Sequence, residues 1–219
     1  GRGLTGIEVA VMNEEFARAQ VPRVTRGMGE WLVGPSIIVH GSDEQKARFL
    51  PRIISGKDRY CQGFSEPDAG SDLASLKTRG VVDGDEIVIT GQKVWTSGAQ
   101  MANMMFCLCR TDPEAPKHQG ISYVLLPMQQ HDGESNGIEL RPLRQLTGNS
   151  GFCETFLTEA RAPLSNVIGG VNNGWRVTMT TLGNERGGNA TTQHVRFQRQ
   201  FWRLVGTTGR ASRGKAALR

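Results

Sequence analysis

The sequence predicts an α+β protein: a helical segment, then an antiparallel β-barrel or sandwich, then a second helical segment. Three observations lead to this fold class. Helix-start signals lie before residue 58, short apolar runs between turn residues fill 58–165, and helical periodicity returns at 172–205. The predicted boundaries divide the 219 residues into the segments 1–57, 58–165, 166–205 and a disordered tail, 206–219.

The first segment carries two capping boxes, which are local signals for helix starts. Thr5 is followed three residues later by Glu8, and Ser42 by Gln45. Val21-Pro22 is expected to end the first helix, and Gly56 suits the end of the last one. Within the helix that Ser42 begins, an apolar stripe is expected at Ala47, Leu50 and Ile54.

The second segment has the spacing of a small β domain. Candidate strands at 60–65, 86–90, 104–110, 122–126 and 152–157 are separated by residues such as Asp, Gly, Pro and Asn. The four cysteines have no metal-ligand spacing, so they are predicted to be free thiols packed as small hydrophobes in a reducing compartment.

The basic charge belongs to the end of the chain. From Val195 onward there are seven Lys or Arg and no acidic residue, whereas residues 1–194 hold nineteen basic and twenty-one acidic residues. A basic arm can indicate contact with nucleic acid, and a chain end displaced from its natural context is an equal alternative. The composition from Gly206 onward can bury little, which predicts disorder.

The densest group of polar residues and glycines is QGFSEPDAGSD at 62–72. A strand that ends in a hydroxyl is followed by a turn that presents Ser71. Backbone N–H groups and hydroxyls at a strand end suit a phosphate or the polar edge of a heterocycle. A plain β-turn is the alternative.

A second group, KVWTSG at 93–98, places an aromatic ring beside two hydroxyls. An indole offers a flat face to another ring, and a hydroxyl can hydrogen-bond the rim of that ring. The alternative is a core tryptophan near a turn.

These two groups together resemble the signatures of the acyl-CoA dehydrogenase family. YCQGFSEPDAGSD at 60–72 resembles its first flavin motif, and GQKVWTSGA at 91–99 its second. HGSDEQKARFLPRIISG, GFCETFLTEARAPLSNVIGG and GWRVTMTTLGNERG also resemble family segments, in the same order along the chain. The resemblance implies a multidomain fold in which 166–205 is the start of a carboxy-terminal helical bundle. It also implies FAD as cofactor, an acyl-CoA substrate, and a chain that lacks the family's first helices and most of its last bundle.

The resemblance also assigns roles to residues. Gln62, Gly63, Phe64 and Ser65 match the positions that line the pyrimidine side of the flavin, and Ser71 matches a contact to the FAD pyrophosphate and the acyl-CoA. In the second motif the expected flavin contacts are Trp95 against the isoalloxazine, Thr96 beside it, and Ser97, where relatives often have Thr, near flavin N5.

The α-proton base is expected at Glu185. Most family members carry this Glu in the bundle that this chain lacks, but a minority place it directly before an Arg, as in LGNER at 182–186. The alternative for Glu185 is a solvated helix residue or an ion-pair partner. Arg186 matches a position at the substrate pocket, with a structural ion pair as its alternative.

The leading hypothesis is therefore an acyl-CoA dehydrogenase that passes electrons to an electron-transfer flavoprotein and forms homo- or hetero-oligomers when full length. An acyl-CoA oxidase or flavin monooxygenase of the same fold is an alternative, and a non-catalytic or DNA-associated relative is another. No apolar run approaches the ~20 residues that span a bilayer. The expected location is the cytoplasm, or the mitochondrial matrix in a eukaryote. The isolated chain is expected to be oligomeric, aggregated or poor in flavin.

Overall fold

A computed structural model describes residues 3–22, 26–130 and 133–216, with side chains described throughout these ranges except at 187–192 and 208–216. The chain divides into two compact units. We call Thr25–Asn184 the core unit, and Gly1–Val24 together with Glu185–Arg219 the helical unit.

Both predicted capping boxes are present. Helix α1 (Gly6–Arg18) begins after Thr5, whose hydroxyl accepts a hydrogen bond from the Glu8 N–H while the Glu8 carboxylate accepts one from the Thr5 N–H. Helix α3 (Asp43–Ser55) begins in the same way, with Ser42 and Gln45 exchanging hydrogen bonds. These reciprocal bonds satisfy donors that the first turn of a helix leaves unpaired.

Between these helices lie a π-helical turn (Gly29–Val33) and α2 (Gly34–His40). Gly56 ends α3 at φ 74°, the left-handed conformation expected of a glycine cap. The predicted apolar stripe on α3 was wrong, because a neighbouring face of the helix is the one that is buried. Phe49 and Ile53 are the buried residues, and Ile54 is 72% exposed, because the interior lies one residue earlier around the helix.

Eight strands form one sheet in the order β6-β7-β3-β2-β4-β5-β8, with β1 also paired to β4. The predicted α+β fold class is confirmed. The sheet differs from the predicted antiparallel barrel or sandwich, because it is mixed and the described residues contain no pairing of β6 with β8 that would close it. Turn residues in a sequence indicate only hairpins, in which strands that follow one another pair antiparallel. β1 instead pairs in parallel with β4, and β2 and β3 lie between these two strands in the chain. The strands are β1 (Tyr60–Gly63), β2 (Arg79–Asp83), β3 (Glu86–Ser97), β4 (Met104–Arg110), β5 (Ile121–Pro127), β6 (Ile138–Leu143), β7 (Phe152–Pro163) and β8 (Val167–Ile168).

The sheet has an apolar cluster on each face. Along β4, Phe106 and Leu108 join the cluster that includes residues of α2 and α3, while Met105, Cys107 and Cys109 join the other. All four cysteines are free and buried, which confirms their prediction as packed thiols. Burial raises the pKa of the Cys107 thiol to about 11, so this thiol stays protonated near neutral pH.

Helix α4 (Gly174–Ala216) supplies the last eleven residues of the core unit and then continues in the helical unit. The composition from Gly206 onward predicts disorder, but the helix continues to Ala216; residues 217–219 lie outside the described ranges. Within the helical unit, the guanidinium of Arg199 donates to the carbonyls of Ala17 and Arg18 at the end of α1. Among the described residues, none of the helices has both the length and the apolarity needed to cross a bilayer.

Candidate functional site

The first motif begins where β1 ends. Gln62 is half-buried and lies opposite Phe106 of β4, and Gly63 lies opposite Cys107. A Cβ at Gly63 would be 2.5 Å from the sulfur of Met105, so a larger residue would have to displace that buried side chain. Phe64 then enters the core cluster, which fixes the direction in which the chain leaves the sheet.

After Phe64 the chain makes a tight turn, in which Glu66 and Ala69 exchange backbone hydrogen bonds of 2.8 and 3.1 Å. Ser71 follows on the exposed side of this turn. Next to it, Asp72 forms an ion pair with Lys117. The turn therefore presents Ser71 to solvent from an anchored loop, where it can meet a ligand.

A buried ion pair joins this loop to β3. The ammonium group of Lys93, which is fully buried, donates to the Glu66 carboxylate at 2.8 Å and to the Phe64 carbonyl at 3.0 Å. The same carboxylate accepts from the backbone N–H groups of Lys77 and Thr78. Burial alone would raise the pKa of Glu66, but the charge and hydrogen bond of Lys93 and these N–H groups outweigh it and lower that pKa.

Trp95 has two unusual properties. Its φ is 59°, a left-handed backbone conformation that residues with bulky side chains rarely adopt. Trp95 is also 62% exposed to solvent, which is high for a tryptophan. It sits at an irregularity in the pairing of β3 with β7, between Lys93 and Thr96. The indole meets the ring of Phe152 edge to face, with 6.0 Å between ring centroids. The strained backbone thus holds a large aromatic surface out of the core.

The two hydroxyl residues after Trp95 lie in different surroundings. Thr96 is fully buried, and its hydroxyl accepts a hydrogen bond from Thr155 at 3.2 Å, so its side chain is occupied within the sheet. Ser97 is half-buried and pairs with Phe152 of β7. Of these two hydroxyls, that of Ser97 is the one placed for a ligand.

The fold brings the two motifs side by side. The Val94 N–H donates to the Ser65 carbonyl at 2.9 Å, which joins the end of the first motif to the middle of the second. The end of β1 with Ser65 therefore lies beside the part of β3 that carries the exposed indole of Trp95 and the half-buried Ser97. Such a set can hold a flat heterocycle by its face and its polar rim.

A cavity of about 450 Å³ lies beside Ser97 in the core unit, within the ~300–1,000 Å³ typical of small-molecule sites. Tyr60 and Met101 contribute to its wall, and glycines leave room where larger residues would fill it. Two arginines also reach the cavity wall. The lining residues are Arg26, Gly27, Met28, Gly56, Arg59, Tyr60, Ser97, Gly98, Met101 and Ala102.

Glu185 and Arg186 follow one another on α4, at the start of that helix's part in the helical unit. Glu185 is half-buried and Arg186 is exposed. The flavin-motif residues all belong to the core unit. The roles of Glu185 and Arg186 remain predictions.

Sequence reasoning missed Lys93 and Glu66 as site residues, although both lie inside the quoted motifs. The sequence shows a Lys directly before the apolar pair Val94-Trp95, and a Glu directly before Pro67 in a turn-like segment. These were the local features that could have drawn attention to both residues. It also missed Phe152, which strand pairing brings opposite Ser97, and the cavity residues of 26–60, which are distant from Ser97 in the sequence.

Comparison with known families identifies the class of protein. The sequence model of the family "Acyl-CoA dehydrogenase, middle domain" matches residues 61–160. The family model "Acyl-CoA dehydrogenase, N-terminal domain" matches residues 1–57. The chain belongs to the acyl-CoA dehydrogenase family.

Two curated acyl-CoA dehydrogenases are similar to this chain over most of its length. The chain is 43% identical to acyl-CoA dehydrogenase IpdE1 of Mycobacterium tuberculosis, over 94% of this chain and 52% of that protein. It is 48% identical to acyl-CoA dehydrogenase FadE34 of the same organism, over 87% of this chain and 26% of FadE34. The chain therefore spans about half of one of these relatives and a quarter of the other.

Solved structures agree with this placement. A protein described as the Tcur3481-Tcur3483 steroid ACAD superposes with a TM-score of 0.81 at 39% identity, over 94% of this chain and 51% of that chain. The ChsE4–ChsE5 complex from Mycobacterium tuberculosis gives a TM-score of 0.70 at 35% identity, over 84% of this chain and 46% of that one.

Proposed function

We propose that the full-length protein containing this chain is an FAD-dependent acyl-CoA dehydrogenase, which removes the α-proton and β-hydride of an acyl-CoA thioester. The observation that carries this proposal is Trp95. Its exposed indole is held by a left-handed backbone beside the Ser65 strand end. Strain of this kind persists where function requires the geometry.

The residues of the two motifs fit FAD. In the proposed site, Gln62, Gly63, Phe64 and Ser65 line the pyrimidine edge, and Trp95 covers the ring face. When bound, FAD supplies the acceptor for the hydride from the β-carbon. Ser97, which is half-buried, donates near N5, and Thr96 contributes through its backbone because its hydroxyl is held by Thr155. Ser71 contacts the pyrophosphate and the acyl-CoA from its exposed turn.

Glu185 is proposed as the base that accepts the α-proton, and Arg186 as a substrate contact. The Glu185 carboxylate is half-buried on α4, so a bound ligand can exclude water from it and leave it to act as a general base.

The acyl group is proposed to be bulky. At about 450 Å³, the cavity beside Ser97 has room for a group of small-molecule size. One solved relative is described as a steroid ACAD, which supports a ring-bearing acyl group. An electron-transfer flavoprotein is the proposed electron acceptor. Homo- or hetero-oligomeric assembly is also proposed, with the ChsE4–ChsE5 complex as a related precedent.

The test uses the protein encoded by the reading frame extended at both ends. It should purify yellow, or turn yellow on reconstitution with FAD, and acyl-CoA should bleach the flavin absorbance under anaerobic conditions. A colourless protein after reconstitution would contradict the proposal. Rapid reoxidation by air after bleaching would instead indicate an oxidase of the same fold.

Glu185→Gln keeps the shape of the side chain and removes the proton acceptor. Flavin reduction by acyl-CoA should slow by about 10²- to 10⁴-fold, the usual worth of a general base, at unchanged FAD content. Glu139→Gln, a change at an exposed carboxylate on β6 that pairs with Arg141, is the control and should leave the rate unaltered. Near-normal reduction in Glu185→Gln would place the base outside this chain.

A further inference from the structure

We infer that Lys93 is a positioning residue for the cofactor site, acting through Phe64 and Glu66 rather than by touching the ligand. The inference rests on the proposed function, because it assigns the device that holds the two FAD-binding motifs in register.

The buried ammonium group of Lys93 donates two hydrogen bonds to the segment that follows β1. Lys93 Nζ lies 3.0 Å from the Phe64 carbonyl oxygen and 2.8 Å from Glu66 Oε1. Both acceptors belong to the segment that leaves β1, whereas Lys93 belongs to β3. One side chain therefore ties the first motif to the strand that carries the second.

The position of Lys93 along β3 adds to this role. It lies two residues before Trp95, at the edge of the pairing irregularity in which Trp95 takes its left-handed conformation. The intervening Val94 N–H donates to the Ser65 carbonyl at 2.9 Å. Side-chain and backbone bonds thus fix the separation between Ser65 and Trp95, the two groups proposed to hold the edge and the face of one ring.

Glu66 extends the same network away from the site. Its carboxylate accepts from the N–H groups of Lys77 and Thr78 at 2.7 and 2.9 Å, which joins the turn at 66–69 to the start of β2. A buried charge pair is seldom kept for stability alone, since well-packed apolar residues do as well or better. Lys93 donates to the backbone carbonyl of Phe64, in the segment 62–65 that is proposed to line the flavin edge. An apolar residue at position 93 could not make this bond.

The experiment uses the full-length protein and compares variants for FAD dissociation constant, flavin absorption spectrum and thermal stability. Lys93→Met should weaken FAD binding by about 10- to 100-fold, the loss seen when the supporting partners of a metal site are removed, and should shift the flavin spectrum. Ile89→Ala, a cavity in the same strand, is the matched control; it should lower stability and leave the spectrum unchanged.

The double variant Lys93→Met/Glu66→Gln separates positioning from simple stability. It removes both buried charges, so stability should recover relative to Lys93→Met, and it carries the test if the single variant fails to fold. FAD affinity should stay low in it, because the Phe64 carbonyl still lacks its donor. Recovery of wild-type affinity and spectrum would overturn the inference, as would unchanged FAD binding in Lys93→Met. A colourless wild type would instead overturn the proposed function, and this inference with it.

Discussion

The core unit and the helical unit are built differently. In the core unit, β4 and β5 are buried along almost their whole length, and two apolar clusters cover the two faces of the sheet. In the helical unit, α1 has no buried residue, and Ile7 is 79% exposed. Apolar side chains near the end of α4, including Phe201 and Trp202, are also exposed.

The difference shows that the core unit has an extensive apolar interior of its own, whereas α1 contributes no buried residue. The chain spans about half of its relative IpdE1, and apolar helix faces of this kind are what an incomplete bundle would leave. The candidate cofactor residues lie in the core unit, whereas Glu185 and Arg186 lie where the helical unit begins.

The largest effect is expected from truncating a core side chain. Leu108→Ala on β4 should lower the free energy of unfolding by about 2–5 kcal/mol, because Leu108 is fully buried and its removal leaves a cavity. Ile7→Ala on α1 removes a side chain of the same size and should change the free energy by about 0.5 kcal/mol or less. Urea denaturation measures both free energies of unfolding. Equal losses in the two variants would contradict the difference in burial between the two units.

A glycine substitution on α4 tests how tightly that helix joins the sheet within the core unit. In Gly174→Ala the new methyl group would lie 2.5 Å from the backbone of Ser122 and Tyr123, atoms that cannot rotate away, so a loss of about 1–3 kcal/mol is expected. Gly183→Ala on the same helix meets no atom within 4 Å and should stabilise by about 0.5–1 kcal/mol. Thermal melts compare the two, and a stable Gly174→Ala would refute the close contact.

Removing a buried hydroxyl should make the core unit more stable. The Tyr60 hydroxyl is buried without a hydrogen-bond partner among the described residues, so Tyr60→Phe should raise the free energy of unfolding by about 1 kcal/mol. Tyr123→Phe is the control, because that hydroxyl accepts a hydrogen bond from Thr181 and its loss should destabilise. Destabilisation in Tyr60→Phe would mean that its hydroxyl has a partner in solution.

The smallest effect on stability is expected in the helical unit. Phe201→Gln changes an exposed residue and should leave the melting temperature of the chain nearly unchanged. Self-association of the isolated chain should decrease, because less apolar surface is exposed. Analytical ultracentrifugation at several concentrations measures this; an isolated wild-type chain that is already a monodisperse monomer would remove the basis of the comparison.

Local signals predicted the elements well. The capping boxes at Thr5 and Ser42 need only residues three positions apart, so the sequence contains all of their information. The predicted strand at 104–110 matches β4 at both ends, because a continuous apolar run bounded by polar residues marks a buried strand. The short strands β2, β6 and β8 were missed, since they lie at the sheet surface or are only two residues long.

Non-local relations could not be predicted. The parallel pairing of β1 with β4 depends on residues more than forty positions apart, and no turn signal records it. Lys93 would be expected at the surface by residue type, and its burial depends on Glu66, twenty-seven residues earlier. The motifs at 62–72 and 91–99 gave the candidate residues, but only the fold places Ser65 against Val94.

The backbone at Trp95 has a consequence for directed evolution of this protein. Selection for heat resistance alone should favour Gly or Asn at position 95, because those residues adopt φ near 59° at lower cost than Trp. Selection for retained yellow colour should keep Trp and accept the lower melting temperature. Libraries randomised at this one codon and sorted under the two pressures should therefore diverge, and the size of that divergence would measure how much stability the chain gives up for its ligand.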